Sequence, residues 1–240
     1  MISIQFHVFI LLFFSLILRS QTIEIEYFTK YKGNQFVSNL INCDNKESLY
    51  INHTKQIKKG TEFFDEQGKL TGEKIDYDEE FYKNFSEKMV YSPSGISYVK
   101  KQVLKEPLEY RWEINKANIK NILGYSCFEA KTSFKGRNYT AYFTEKIPMK
   151  DGPRKFSGLP GLILQLSEDG GMLDIVATKI NYENISCKKT TLSIEKANDW
   201  ETLLQIAKKM YYEKKAELEK SHDAKIKTNF SNNQEIYDLN

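Results

Sequence analysis

At 240 residues, with 40% hydrophobic and 13% aromatic content, the chain is long enough for one domain that buries its own core. It is too apolar for intrinsic disorder. The 35 basic residues nearly balance the 32 acidic ones, for a formal charge of +3, which excludes nucleic acid as the main ligand.

Residues 2–18 are almost entirely apolar and end at Arg19-Ser20-Gln21. This reads as a signal peptide over 1–20, cut after Ser20. An uncleaved anchor is the competing reading, since the run sits at the lower edge of spanning length. No second run of that kind follows, so the mature form is expected not to span a membrane. The expected division is a single β-rich domain over 21–224 and a polar tail over 225–240.

From Thr22 onward the apolar period is mostly two, the period of strands. Ile23, Ile25 and Tyr27 alternate with Glu24 and Glu26, and Leu49 and Ile51 bracket Tyr50. Residues 55–77 read as a long polar loop. Strand signals return over 81–85 and 88–91, a Ser92-Pro93-Ser94-Gly95 turn follows, and 97–104 reads as a strand. Tyr110, Trp112 and Ile114 share one face of the next. Residues 119–134 and 138–145 pattern as one hairpin around Lys135-Gly136-Arg137. A loop over 148–160 holds three of the five prolines. Leu162, Leu164 and Leu166 then face Leu173, Ile175 and Ala177 across an Asp169-Gly170-Gly171 turn. One helix closes the pattern: Trp200, Leu203, Leu204, Ala207, Met210 and Tyr211 recur at helical spacing, with Asn198 or Asp199 as N-cap. The expected fold is α+β with β dominant: a curved, largely antiparallel sheet, a partial barrel, with this amphipathic helix packed on it.

Three cysteines, Cys43, Cys127 and Cys187, allow one disulfide. Cys43 with Cys187 is the favoured pair, because both follow strand signals near turns. Beyond the signal segment the only histidines are His53 and His222; with no CxxC spacing, neither a metal site nor a cofactor is expected. There is no GxSxG and no phosphate-binding glycine loop. Asp76, Asp78 and Glu80 imitate the start of a calcium loop, but Phe81 stands where that loop needs glycine.

Residues Gly158-Leu159-Pro160-Gly161-Leu162-Ile163 spell the signature of the GLPGLI family. The frame around them agrees: Trp112, then Gly124-Tyr125-Ser126-Cys127 with Ala130, then Ala141 to Thr144 with Ile147-Pro148, then Gly152-Pro153 with Phe156. Arg154 and Tyr142 stand where the family pattern has Trp. From about residue 23 to 180 the chain resembles this family of exported Gram-negative proteins. The resemblance implies export and a β-rich fold, and supplies no catalytic residue. Physically, Gly158 and Gly161 can adopt angles closed to other residues, while Pro160 fixes its own φ and biases Leu159 to be extended. Leu159 and Leu162 can then plug the core.

The functional expectation is a non-catalytic binding or carrier module of the cell envelope. Trp112, Tyr139 and Phe143 are expected to face an apolar small molecule, or a segment of an envelope protein, on the inner sheet surface. The alternatives are a carboxylate-dependent hydrolase and a purely structural envelope protein.

Overall fold

The computed structural model describes residues 22–54, 78–96, 98–100, 102–183, 185–222 and 230. The segment read as a signal peptide, the 55–77 stretch, the tail apart from Phe230 and the side chain of His222 lie outside the described residues.

Among the described residues, eleven strands form one antiparallel sheet built from two consecutive meanders. The first runs β1 Ile23–Tyr31, β2 Asn34–Cys43, β3 Glu47–Asn52, β4 Glu79–Asn84, β5 Met89–Pro93 and β6 Val103–Pro107. The second runs β7 Glu113–Ile122, β8 Tyr125–Phe134, β9 Arg137–Thr144, β10 Leu162–Glu168 and β11 Leu173–Asn181. The meanders meet where β1 pairs with β11. Lys32-Gly33, Leu123-Gly124 and Lys135-Gly136 all have positive φ at both residues. This is the type I′ geometry whose twist matches that of the flanking strands. The Leu123-Gly124 turn splits the 119–134 stretch into parts of β7 and β8, correcting the single hairpin arm read from the pattern.

The edge strands β6 and β7 are neighbours in sequence, joined by residues 108–112. Five residues reach at most ~17 Å, so the sheet must curl until its edges approach. Lys135, in the β8–β9 turn, lies 2.5 Å from Glu106 of β6. The rings of Tyr110 and Phe134 are 5.2 Å apart. The sheet is therefore a partial barrel.

Of the residues read as a strand over 97–104, the described ones before Val103 are turn or loop, and β6 begins only at Val103. Ile96 and Val99 instead turn toward a small separate core with Leu104, Leu203 and Ala207. That core docks α1, Trp200–His222, against the β6 margin. Asp199 caps the helix by accepting the Thr202 N–H at 2.8 Å. Beyond Tyr211 the helix is largely exposed, and Met210, read as a core position, is 40% exposed.

Candidate functional site

In an antiparallel sheet, directly paired residues share a face. The register therefore sorts the inner face into rows. Across β2 to β4, the paired residues Ser38, Asn52 and Glu79 form a buried hydrogen-bonded row with links of 2.9 and 3.0 Å, and Thr29 of β1 joins it diagonally, 3.0 Å from Ser38. Leu40, Tyr50 and Phe81 form an apolar row beside it, and Asn42, Ser48 and Lys83 a second polar one. The second meander presents Tyr139, Ala141, Phe143, Leu166, Ile175 and Ala177, all buried.

The 148–161 connection between β9 and β10 fills this face as a plug. Its apolar residues serve the second meander. The Phe156 ring lies 4.6 Å from that of Tyr139, and Tyr110 and Trp112 pack on it from the 108–112 linker. Its charged residues serve the first. Asp151 and Lys83 form an ion pair with both side chains at 0% exposure. Asn42 donates to the other carboxylate oxygen of Asp151 at 2.8 Å. Burial pulls the Lys83 ammonium pKa down, and the Asp151 charge opposes that shift. The Arg154 guanidinium lies over the Phe81 ring at 4.6 Å. Lys155 donates to Glu106 at 2.9 Å. Burial would raise the Glu106 carboxyl, but Lys155 and Lys135 outweigh it and hold the pKa down to about 2.

The signature hexapeptide is the end of this plug. Leu159, Leu162 and Ile163 are buried, while Gly158 and Pro160 are exposed. Gly158 has φ +93°, which excludes most side chains. Gly161 is needed for another reason than the backbone angle suggested by the sequence. A Cβ there would lie 2.1 Å from the carbonyl oxygen of Thr144, so only glycine lets the plug pass β9 at this distance. A bulge in the pairing after Ile163 breaks the simple Leu162, Leu164, Leu166 alternation, and all of residues 162–164 are buried.

Of the three residues expected to face a ligand, Tyr139 and Phe143 are sealed in the core, at 1% and 0% exposure. The chain's own Phe156 stands where a ligand was expected. Trp112 is half-buried, and its Nε1 donates to Ser157 O at 2.9 Å. Tyr110 likewise donates to Lys155 O at 2.9 Å. The linker thus straps the plug down with two aromatic side chains.

The apolar inner face nevertheless continues past the plug. Phe143 pairs with half-buried Phe128, and Phe128 pairs with Ile119, 58% exposed. Ala141 pairs with Ala130, and Ala130 with Ile114, 43% exposed. Ile114, Ile119, Phe128 and Trp112 therefore make an uncovered apolar strip beside the exposed part of the signature loop. Lys116 reaches across it to Glu145 at 2.8 Å. The sequence pattern grouped Ile114 with Trp112. It gave no sign of Ile119, because the three-residue bulge between Asn115 and Ile119 shifts the parity of the strand.

On the outer face a second irregular segment, the 182–199 strap, runs back from β11 toward β6. Cys187 is disulfide-bonded to Cys43, with Cα atoms 5.8 Å apart; this is the pair the sequence favoured. Thr190 and Thr191 give Glu80 three hydrogen bonds of 2.7–2.9 Å. The backbone of Asn198 then bonds to Val103 and Lys105 of β6. Cys127 is a buried thiol whose pKa burial pushes up to about 11, which suits packing and not nucleophilic attack. The buried carboxylates Asp151, Glu106, Glu79, Glu80, Glu129 and Glu168 all accept hydrogen bonds or ion pairs from within the chain. Among the described residues no group of three or more His, Cys, Asp or Glu could hold a metal ion, and no helix is long and apolar enough to cross a membrane.

Residues 129–165 match the family described as a protein of unknown function (Porph_ging). The matched stretch contains β9, the plug and the whole signature. No curated protein matches the chain. Among solved structures, PNGF-II crystallised in space group C2 is similar over 82% of this chain and 34% of its own, at 18% identity and a TM-score of 0.50. The chain thus spans about a third of that protein, and the likeness shows a shared fold. An uncharacterised conserved protein from Thermus thermophilus matches at 10% identity over 70% of this chain and 82% of its own, with a TM-score of 0.38. A LolA superfamily protein from Nitrosomonas europaea matches at 4% identity over 70% of this chain and 89% of its own, with a TM-score of 0.29. These last two are too distant to support an argument.

Proposed function

We propose that the protein is an exported, GLPGLI-type binding module of the cell envelope that holds an apolar or extended ligand without turning it over. The observation that carries this reading is the uncovered strip. A sheet that seals Phe143 and Ala141 completely leaves Ile114 and Ile119 of the same paired rows in solvent. Exposed apolar residues gathered beside a rigid backbone mark interaction sites more often than scattered ones do. The ligand lies on the strip, along the open side of β7, and not in the plugged interior. The internal use of the buried carboxylates favours binding over hydrolysis. The hexapeptide signature, the disulfide and the apolar first twenty residues together support export to an oxidising compartment.

The test is native mass spectrometry of the protein purified from its own envelope, beside an Ile114→Asp, Ile119→Asp double variant. The wild type is expected to begin at Gln21 and to carry a co-purifying ligand. The variant should fold with stability within about 0.5 kcal/mol, as surface changes do, and lose that ligand. A wild type without ligand, or a variant that keeps it, would sink the reading.

A further inference from the structure

The pair formed by Lys83 and Asp151 is placed as the two halves of an amide would be. We propose that these side chains are joined in the matured protein by an intramolecular isopeptide bond, which fastens the plug covalently to β4.

Three observations lead there. First, both side chains are at 0% exposure and in direct contact. A fully buried ion pair is a poor way to stabilise a fold, because the desolvation of two charges offsets their attraction. Second, the hydrogen bonds around the pair already fit the product. The Lys83 Nζ donates to Gly152 O at 2.6 Å, as the single N–H of an amide would. Asp151 Oδ2 accepts from Asn42 Nδ2 at 2.8 Å, as the amide carbonyl would. Third, the remaining oxygen, Oδ1, is the one touching the amine, and the Gly152 N–H holds it at 2.8 Å. It is placed as the leaving group.

The step balances without any co-reactant. Lys83 passes one proton to Asp151, giving a neutral amine beside a neutral carboxylic acid. Burial disfavours the lysine charge, which assists the release of that proton. The Nζ lone pair attacks Cγ and the C–N bond forms. The carbonyl electrons move to Oδ2, where the Asn42 amide stabilises them. A proton moves from Nζ to Oδ1, the C–Oδ1 bond breaks and one water departs as the Oδ2 carbonyl re-forms. Nothing is oxidised or reduced. One turnover per chain is enough, so a slow reaction between groups held in contact suffices.

The experiment is the intact mass of the full-length exported protein after reduction of the disulfide, followed by tryptic mapping. The expected mass is one water below that of the chain from Gln21 onward. Trypsin should fail to cut after Lys83, and a branched peptide should link Lys83 to Asp151. A Lys83→Arg variant should return to the full mass. A wild type of full mass that is cut after Lys83 overturns the proposal. So does a missing water located at any other residue. The wild-type measurement decides the question even if the variant does not fold.

Discussion

The plug and the strap are both irregular segments laid across one sheet, yet they are held in opposite ways. The plug exposes only Pro148, Lys150, Gly158 and Pro160. Its hold is distributed over ring contacts, buried charges and close backbone passages. The strap is mostly exposed and is held at separate points, among them a disulfide, the Glu80 clamp and the Asn198 bridge. The lesson is that the inner segment is part of the core, while the outer one is fastened onto a sheet already complete without it. Perturbing the plug should therefore be felt everywhere, and perturbing the strap should be felt mainly along the strap.

The largest effect is expected from Gly161→Val. Its Cβ would fall within 3.0 Å of three backbone atoms at Thr144 and Glu145. The strain belongs at the upper end of overpacking, about 3 kcal/mol, and should appear in chemical denaturation as one cooperative shift. A midpoint unchanged from wild type would show that the plug can slide, breaking the contrast. Next comes Cys43→Ser with Cys187→Ser. The cross-link closes a separation of 144 residues, and its loss should cost about 2–3 kcal/mol. Hydrogen exchange should rise over 182–199 while β8 to β10 stay protected. Faster exchange in β9 as well would mean that the strap also supports the core. The smallest effect is confined to acid. The folded-state pKa of Glu106 is depressed, so its stabilisation is fully present above the ordinary carboxylate value of 4.5 and is lost as pH falls toward about 2. Glu106→Gln should flatten the acid limb of a stability–pH curve in that window. An unchanged limb would remove the ion pairs of Lys135 and Lys155 from the list of what holds the plug.

Much of this frame was legible in the sequence. The alternation of Ile23, Ile25 and Tyr27 and the Leu173, Ile175, Ala177 face are local signals, and the sheet uses them as read. The Cys43–Cys187 pairing could be favoured because both residues follow strand signals and lie near turns. What escaped reading depends on contacts remote in sequence. The loop around Ile96 and Val99 has the apolar content of a strand, but its apolar side chains answer to α1, about a hundred residues later. Tyr139 and Phe143 have the composition of a ligand face, and only the plug's Phe156 decides that they are core. The Lys83–Asp151 contact joins positions 68 residues apart, and no periodicity in either segment announces it. Bulges hid the rest: they shift strand parity at Asn115/Ile119 and at Ile163/Gln165, and alternation cannot be followed through them.

The joining of the two meanders at β1 and β11 has a consequence for how the molecule is made. Among the described residues, nine of the ten strand pairings link neighbours along the chain, and the tenth links the first strand to the last. Neighbour pairings close short loops, apart from the longer β3–β4 and β9–β10 connections, and form early. The Tyr27–Ala177 and Thr29–Ile175 pairs cannot form until nearly the whole domain has left the ribosome. Until then the first strand waits as an open edge that presents Ile23, Ile25 and Tyr27 to any other strand. This is the interval in which such a chain is most prone to aggregation. A circular permutant opened within residues 108–112, with its old ends linked, would bring the two strands of that last pairing closer along the chain, with the strap and α1 still between them, and its refolding should speed up accordingly.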